Sequence, residues 1–200
     1  MTGLEAADDV NSMQNERGPQ REPGASESDR DRDRDRISAA MADLQRTGWY
    51  WGALNAIKAN EKLKEAAEGT FLVRDSSHRD YFLTISVKTV WGPTSLRIEY
   101  QDGKFRLDSV ILARPKLQRF DSVVDMVEYY VILCQMIQRA QRPALQSGGV
   151  QLQLTRPLYS HTPTLQHFCR INIHRATRRT HELPLPTRLK EYLLEYKYQV

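Results

Sequence analysis

With 200 residues, 40% of them hydrophobic, the chain can form one ordinary domain with extensions, and its two cysteines are too few for a disulfide framework. The first 36 residues carry ten acids and six arginines, a net charge of −4, whereas the whole chain carries +4. Residues 37–200 therefore carry +8, which suits phosphorylated ligands but is modest for nucleic acid. The polar N-terminus and the absence of a membrane-length apolar run indicate a reducing location, cytoplasmic or nuclear, without membrane insertion.

The first segment of the chain is predicted to be a disordered acidic tail over residues 1–36, because it is rich in charged and small residues and nearly lacks aromatics. Its most biased part is SDRDRDRDR. A charge-laced helix is the alternative for this repeat, but aspartate is a poor helix former. Apolar residues at helical spacing then predict a short amphipathic helix over residues 37–48.

The central part of the chain has the pattern of an α+β domain. A helix is predicted over residues 56–67 and a stronger one over residues 120–134. Strands are predicted over residues 70–75, 81–89, 94–101, 105–109 and 150–155, with an Asp-Gly turn before the fourth. This order predicts a central antiparallel sheet flanked by helices.

One strand contains an unexpected charge. In GTFLVRDSS (69–77), Arg74 follows three apolar residues and precedes two serines. A guanidinium rooted in a strand core needs an anionic partner, and its planar fork matches two oxygens of a phosphate. The partner could also be internal, with Glu99 or Asp75 as candidates.

The C-terminal segment has two further amphipathic helices. The first presents a stripe of Leu165, Phe168 and Cys169, with Thr164 placed to cap it, and the second follows Leu-Pro-Leu-Pro at 183–186. About 40 residues are too few for a self-sufficient core. The stripe could pack on the first domain, or the helix could insert into a groove of another protein.

WYWG, GTFLVRDSS, YFLTISVK and VEYYV resemble the motifs of a Src-homology-2 (SH2) domain, here residues 49–158 with residues 37–48 as an N-terminal helix extension. The resemblance implies a phosphotyrosine-binding module. The residues that it implies for the pocket are Arg74, Ser76, Ser77, Thr84 and Arg97. Many SH2 domains carry a further arginine early in the first helix, where this chain has Ala56.

TLQHFCR (164–170) and LPLP (183–186) resemble the SOCS box of the suppressor of cytokine signalling family, here residues 159–200. The resemblance implies that Leu165, Phe168 and Cys169 bind elongin C of an elongin B/C pair. It also implies contact with cullin five and its RING subunit through the Leu-Pro residues, which are Leu183, Pro184, Leu185 and Pro186. Phe168 stands where leucine is commoner in this family.

The family resemblance implies a non-catalytic adaptor without a cofactor. Such an adaptor would capture phosphotyrosine on an activated cytokine or growth-hormone-type receptor and link it to a ubiquitin ligase, lowering JAK-STAT signalling. An alternative is an SH2 adaptor that only competes for receptor phosphotyrosines. A tyrosine phosphatase is disfavoured because Cys134 lacks an arginine six residues on, where Ala140 stands. A zinc site is also disfavoured, because the spacing of its candidate ligands fits no common pattern; these are His167, Cys169, His174 and His181.

Overall fold

The computed structural model describes residues 27–108, 118–139, 145–147 and 150–200. Its helices are α1 Glu27–Gln45, α2 Ala56–Lys64, α3 Val123–Arg139, α4 Leu165–Ala176 and α5 Thr187–Leu194, with a 3-10 turn at Thr180–Glu182. The strands are β1 Thr70–Asp75, β2 Leu83–Thr89, β3 Gly92–Gln101, β4 Lys104–Leu107, β5 Leu145–Ser147, β6 Val150–Leu152 and β7 Arg156–Pro157. Among the described helices, none is long and apolar enough to cross a membrane.

Five strands form the central sheet in the order β4-β3-β2-β1-β7. All neighbours are antiparallel except β1 and β7, which pair in parallel. β5 and β6 form a separate hairpin. The predicted α+β class with a central, largely antiparallel sheet is therefore confirmed.

The strand predicted over residues 150–155 is divided in the structure. Its first part is β6, and the chain then bends so that Leu154 becomes fully buried and donates its N–H to Cys134 Sγ on α3 at 3.4 Å. Thr155 next donates its N–H to Gly69 O at 2.9 Å, which starts the pairing of β7 with β1. The break depends on contacts with α3 and β1, so the local alternation does not predict it.

The two faces of the sheet have different roles. Successive strand residues point to opposite faces, so Phe71 and Val73 of β1 enter the main core, which includes buried residues of α3. Leu72 lies on the other face, where it packs with Ala59 and Leu63 of α2 in a smaller apolar cluster. Arg74 shares the face of Leu72, because the two residues are two positions apart. The charge therefore lies on the α2 side of the sheet.

α1 begins at Glu27, ten residues before the predicted start, so the prediction of disorder is wrong for residues 27–36. The Asp-Arg repeat places opposite charges three residues apart, and Arg36 lies 3.5 Å from Asp33. The hydroxyl of Tyr100 on β3 also donates to Asp33 Oδ1 at 3.1 Å. This tertiary contact supplements the weak ion pairs of the repeat. Residues 1–26 lie outside the described part of the chain.

The C-terminal unit packs on the first domain. Tyr196, Tyr198 and Val200 are buried in the main core together with residues of the sheet and α3. Gln199 donates its N–H to Glu128 Oε1 of α3 at 2.8 Å, and burial is the largest cause that raises the pKa of this carboxyl group. The unit is too small to form a core alone, and it gains one by sharing that of the neighbouring domain.

Candidate functional site

Arg74 is buried, with 3% of its surface exposed, and its hydrogen-bond partners in the described part of the chain are neutral. Its Nε donates to Ser86 Oγ at 3.1 Å and its Nη1 to the carbonyl oxygen of Asp75 at 3.0 Å. The hydroxyls of Ser77 and Ser95 lie 3.5 Å from the guanidinium nitrogens. Burial lowers the pKa of Arg74, as expected for a desolvated cation.

Glu99 and Asp75, the two candidate internal partners of Arg74, each bind a different side chain. Glu99 accepts a hydrogen bond from Arg106 Nε at 2.7 Å. The carboxylate of Asp75 accepts one from the hydroxyl of Tyr50. Burial, and then this bond to Asp75, raise the pKa of Tyr50. Among the described residues, no carboxylate forms an ion pair with Arg74.

Arg74, Thr84 and Arg97 form one row across β1, β2 and β3. Arg74 pairs with Thr84, and Thr84 pairs with Arg97, so the three side chains share one face of the sheet. Thr84 is buried, and Arg97 is exposed at the rim with its guanidinium carbon 5.1 Å from the ring centroid of Tyr81. Tyr81 is in turn held by a 2.9 Å hydrogen bond from its hydroxyl to Asp108. The row thus places a second cation on the same face as Arg74.

The two predicted loop serines occupy different positions. Ser77 is exposed, and its hydroxyl is the one that lies near Arg74. Ser76 is half-buried, and its Oγ accepts the N–H of His78 at 3.1 Å, which stabilises the turn after β1. Its own N–H donates to Phe82 O at 3.0 Å. Ser77 is therefore the better placed of the two for a ligand at Arg74, and Ser76 shapes the loop.

Ser86 and Ser95 are two contacts of Arg74 that were not predicted from the sequence. They face each other across β2 and β3, with their hydroxyl oxygens 3.0 Å apart. Each stands two positions from a predicted pocket residue, Ser86 from Thr84 and Ser95 from Arg97, and hence on the same face. Strand alternation was the signal that could have found them. Ala56 is the first residue of α2 and contributes no cation.

The predicted apolar stripe of α4 lies largely at the surface. Leu165 is 79% exposed, Phe168 is 37% exposed and Cys169 is exposed. Thr164 caps the helix by accepting the N–H of His167 at 3.2 Å. The stripe is therefore not a core stripe packed on the first domain, although Phe168 contacts the ring of Tyr159 edge to face.

The buried side of α4 is unexpectedly polar. Arg170 lies over the rings of Tyr192 and Tyr196, with its guanidinium carbon 4.4 and 5.0 Å from their centroids, and one of its nitrogens lies 3.1 Å from His167 Nδ1. His174 Nε2 donates to Leu193 O at 2.9 Å. Burial, and then the charge of Arg170, lower the pKa of His167. The described residues contain no group of three side chains suited to a metal ion.

The Leu-Pro segment connects the 3-10 turn to α5. Leu183 and Leu185 are half-buried, whereas Pro184 and Pro186 are exposed. Lys190 of α5 donates to the carbonyl oxygen of His181 at 2.8 Å, which ties the two ends of the segment together. The alternating burial leaves the prolines accessible on the outside.

Comparison with known families agrees with this architecture. A family model described as SH2 domain matches residues 49–130, and one described as SOCS box matches residues 161–194. The chain is thus an SH2 protein with a C-terminal SOCS box, a class of adaptor that is non-catalytic in itself.

Similar proteins of known family identify the family within this class. The chain is 60% identical over 164 residues to suppressor of cytokine signaling 2 from Rattus norvegicus, which covers 82% of each chain, and 59% identical over the same length to its counterpart from Homo sapiens. Cytokine-inducible SH2-containing protein from Gallus gallus is 41% identical over 178 residues, covering 82% of this chain and 72% of the relative. The chain therefore belongs to the suppressor of cytokine signaling family.

Two further stretches, GPTSLRIEYQDGKFRLDS and LPLPTRLKEYL, allow a resemblance to one member of the family, and the comparisons confirm it. These motifs indicate the second member of the family, with cytokine-inducible SH2 protein as the next candidate.

Proposed function

We propose that the pocket around Arg74 binds a phosphotyrosine side chain of a partner protein. The observation that carries this proposal is a buried guanidinium with only neutral partners, in one row with Thr84 and the second cation, Arg97. A phosphate dianion would supply the missing countercharge to Arg74 and accept hydrogen bonds from the hydroxyls of Ser77 and Ser76.

The depth of the pocket favours phosphotyrosine over shorter phosphorylated side chains. Arg74 is 3% exposed, so the phosphate must reach the sheet surface, and a phenol ring provides the required length. Arg97 at the rim can lie against that ring as it lies over Tyr81 now. Because Ala56 provides no cation, Arg97 and the hydroxyls carry a larger share of the binding free energy.

The second half of the proposal concerns ubiquitin-ligase recruitment. The exposed stripe of Leu165, Phe168 and Cys169 is suited to helix-in-groove binding, and we assign it to elongin C of an elongin B/C pair. The accessible Leu-Pro segment at 183–186 would contact cullin five, which brings its RING subunit.

With both sites, we propose that the chain acts as a cytoplasmic adaptor that brings an activated receptor to a ligase. The names of the relatives support suppression of cytokine signalling as the outcome, through receptor ubiquitination and lower JAK-STAT output. Growth-hormone-type receptors are the proposed targets. Loop residues beyond the pocket would determine which phosphosite is preferred.

Calorimetry with a phosphotyrosine peptide tests the pocket. Arg74→Lys keeps the charge but loses the bidentate fork, so we expect at least about a hundredfold weaker binding, about 3 kcal/mol. Arg79→Lys, on the exposed loop beside the pocket, is the matched control and should change affinity little. Unchanged affinity for a folded Arg74→Lys protein would show that the pocket is assigned wrongly.

A pull-down of purified elongin B/C tests ligase recruitment. Leu165→Ser removes the most exposed apolar contact of α4 without interrupting the helix, and we expect it to abolish capture. Gln166→Ala changes the next, exposed residue of the same helix and should leave capture intact. If the wild type captures no elongins, the adaptor would act only by competing for receptor phosphotyrosines.

A further inference from the structure

The connection between β7 and α4 contains a sequence feature that the two binding sites do not use. Thr162 is followed by Pro163, and none of the other eight prolines in the chain follows a serine or a threonine. Hydroxyl residues before proline are the substrates of proline-directed protein kinases, whose pocket for the next residue suits a ring that has no N–H to satisfy. The chain thus has a single candidate for this modification.

The structure leaves Thr162 accessible. Its side chain is exposed and its backbone belongs to no helix or strand. Within the described part of the chain, the N–H groups of His161 and Thr162 donate no hydrogen bond, and Pro163 has none to donate. A kinase can therefore draw the segment into an extended form without breaking backbone hydrogen bonds of residues 161–163.

The surroundings of Thr162 suit an added phosphate. Thr162 lines a groove of about 660 Å³ between the connection from α2 to β1, β7 and the start of α4. Arg156 and His161 line the same groove, and no carboxylate does. A phosphate carries a charge of about −1.5 to −2 near neutral pH, so it would find the exposed guanidinium of Arg156 and no opposing acid.

We propose that Thr162 is a phosphorylation site for a proline-directed serine/threonine kinase. The γ-phosphoryl group of ATP is transferred to Thr162 Oγ. The new O–P bond replaces the β–γ bridging bond, the hydroxyl proton passes to the base of the kinase, and ADP leaves. ATP and the kinase are the only co-reactants required.

Phosphorylation of Thr162 should also affect elongin binding, an expectation that rests on the proposed elongin contact. Thr162 precedes Leu165 by three residues, at the end of α4 where the apolar stripe begins. When Leu165 enters an apolar groove of the partner, the hydrated phosphate on Thr162 lies beside that groove. It must either lose water, which costs free energy, or prevent close contact between the groove and Leu165. We expect phosphorylation to weaken elongin B/C binding about tenfold.

Phosphate mapping tests the site itself. The full-length chain is incubated with ATP and a purified proline-directed kinase, and phosphopeptides are located by mass spectrometry. We expect near-stoichiometric phosphate at Thr162, none there in Thr162→Ala, and a large loss in Pro163→Ala, which keeps the hydroxyl. An unmodified Thr162, while a Thr-Pro control peptide is fully phosphorylated, would overturn the proposal.

Calorimetry with elongin B/C tests whether phosphorylation weakens elongin binding, independently of whether Thr162 is a phosphorylation site. Tenfold weaker binding of the phosphorylated chain, with no change for kinase-treated Thr162→Ala, supports regulation of the elongin contact. Equal affinity overturns that regulation. If the unmodified chain does not bind elongin B/C at all, the proposed ligase recruitment fails, whereas the mapped phosphate still establishes the site.

Discussion

Arg74 and Arg170 are both buried, at 3% and 8% exposure, but their surroundings differ. Arg74 is held on the face of the sheet by hydroxyls and one carbonyl oxygen. Arg170 lies over two tyrosine rings, contacts a histidine, donates to Tyr192 O and has Glu195 Oε2 4.0 Å from its Nη1. The charge of Arg74 thus lacks a carboxylate partner among the described residues, which suits a receptor for an anion, whereas Arg170 is covered by aromatic rings and has a carboxylate nearby.

The largest expected effect concerns Arg170. Arg170→Ala removes two cation–π contacts and the packing of the side-chain stem, so we expect the free energy of unfolding to fall by about 2–3 kcal/mol. Urea unfolding monitored by circular dichroism measures this. Arg170→Lys should lose less, because a cation remains over the rings. A loss below 0.5 kcal/mol for Arg170→Ala would contradict the structural role.

Arg74 should behave in the opposite way. Arg74→Met replaces an uncompensated buried charge by an apolar chain, and Ser86 and Ser95 can still bond each other. We expect unchanged stability or a gain of about 1 kcal/mol, together with loss of phosphotyrosine binding. Urea unfolding and calorimetry on the same preparation measure both quantities. A strongly destabilised variant would mean that Arg74 is structural, as Arg170 is.

Lowering the pH should reduce the free energy of unfolding through His167, which contacts Arg170. Its pKa is lowered in the folded protein by burial and by Arg170, so the unfolded chain takes up the proton first. The corresponding stability is present above the ordinary pKa of 6.5 and decreases as the pH falls through and below that value.

Urea unfolding at pH 7.5 and 5.5 measures this dependence. Against the wild type, His167→Gln should show a smaller decrease between the two pH values, since glutamine does not titrate. His181→Gln is the matched control, because His181 is exposed. An identical decrease in wild type and His167→Gln would exclude this residue as the origin.

An exposed arginine should have the smallest effect. Arg34 lies 3.7 Å from Asp31 on α1, and both side chains are largely exposed. Arg34→Gln should change the free energy of unfolding by less than about 0.5 kcal/mol, since water screens such pairs. A loss above 1 kcal/mol in urea unfolding would contradict this expectation and indicate that the charged repeat itself stabilises α1.

The sequence predicted those parts of the molecule that depend on local pattern. The strand order from β1 to β4 and the strong helix α3 followed from apolar spacing and turns, and family motifs marked Arg74. Ser86 was missed although alternation from Thr84 would have placed it on the pocket face. The signal for Ser86 was therefore present in the sequence.

Other features depend on contacts between distant segments. α1 begins early where Tyr100, from β3, bonds to Asp33, and the end of β6 is set by burial of Leu154 against α3. Apolar spacing could not predict the polar buried side of α4. Arg170 is covered there by tyrosines that lie more than twenty residues further along the chain. Periodicity within one segment contains no information about such partners.

The burial of Tyr196, Tyr198 and Val200 in the main core affects how this protein can be divided. The SH2 and SOCS-box matches end at residues 130 and 194, yet the closing residues of the chain complete the hydrophobic interior beside α3. A fragment cut at residue 158 would expose that interior to water, and we expect it to aggregate. We therefore expect the two family modules to unfold as one cooperative unit, and affinities are best measured on the intact chain.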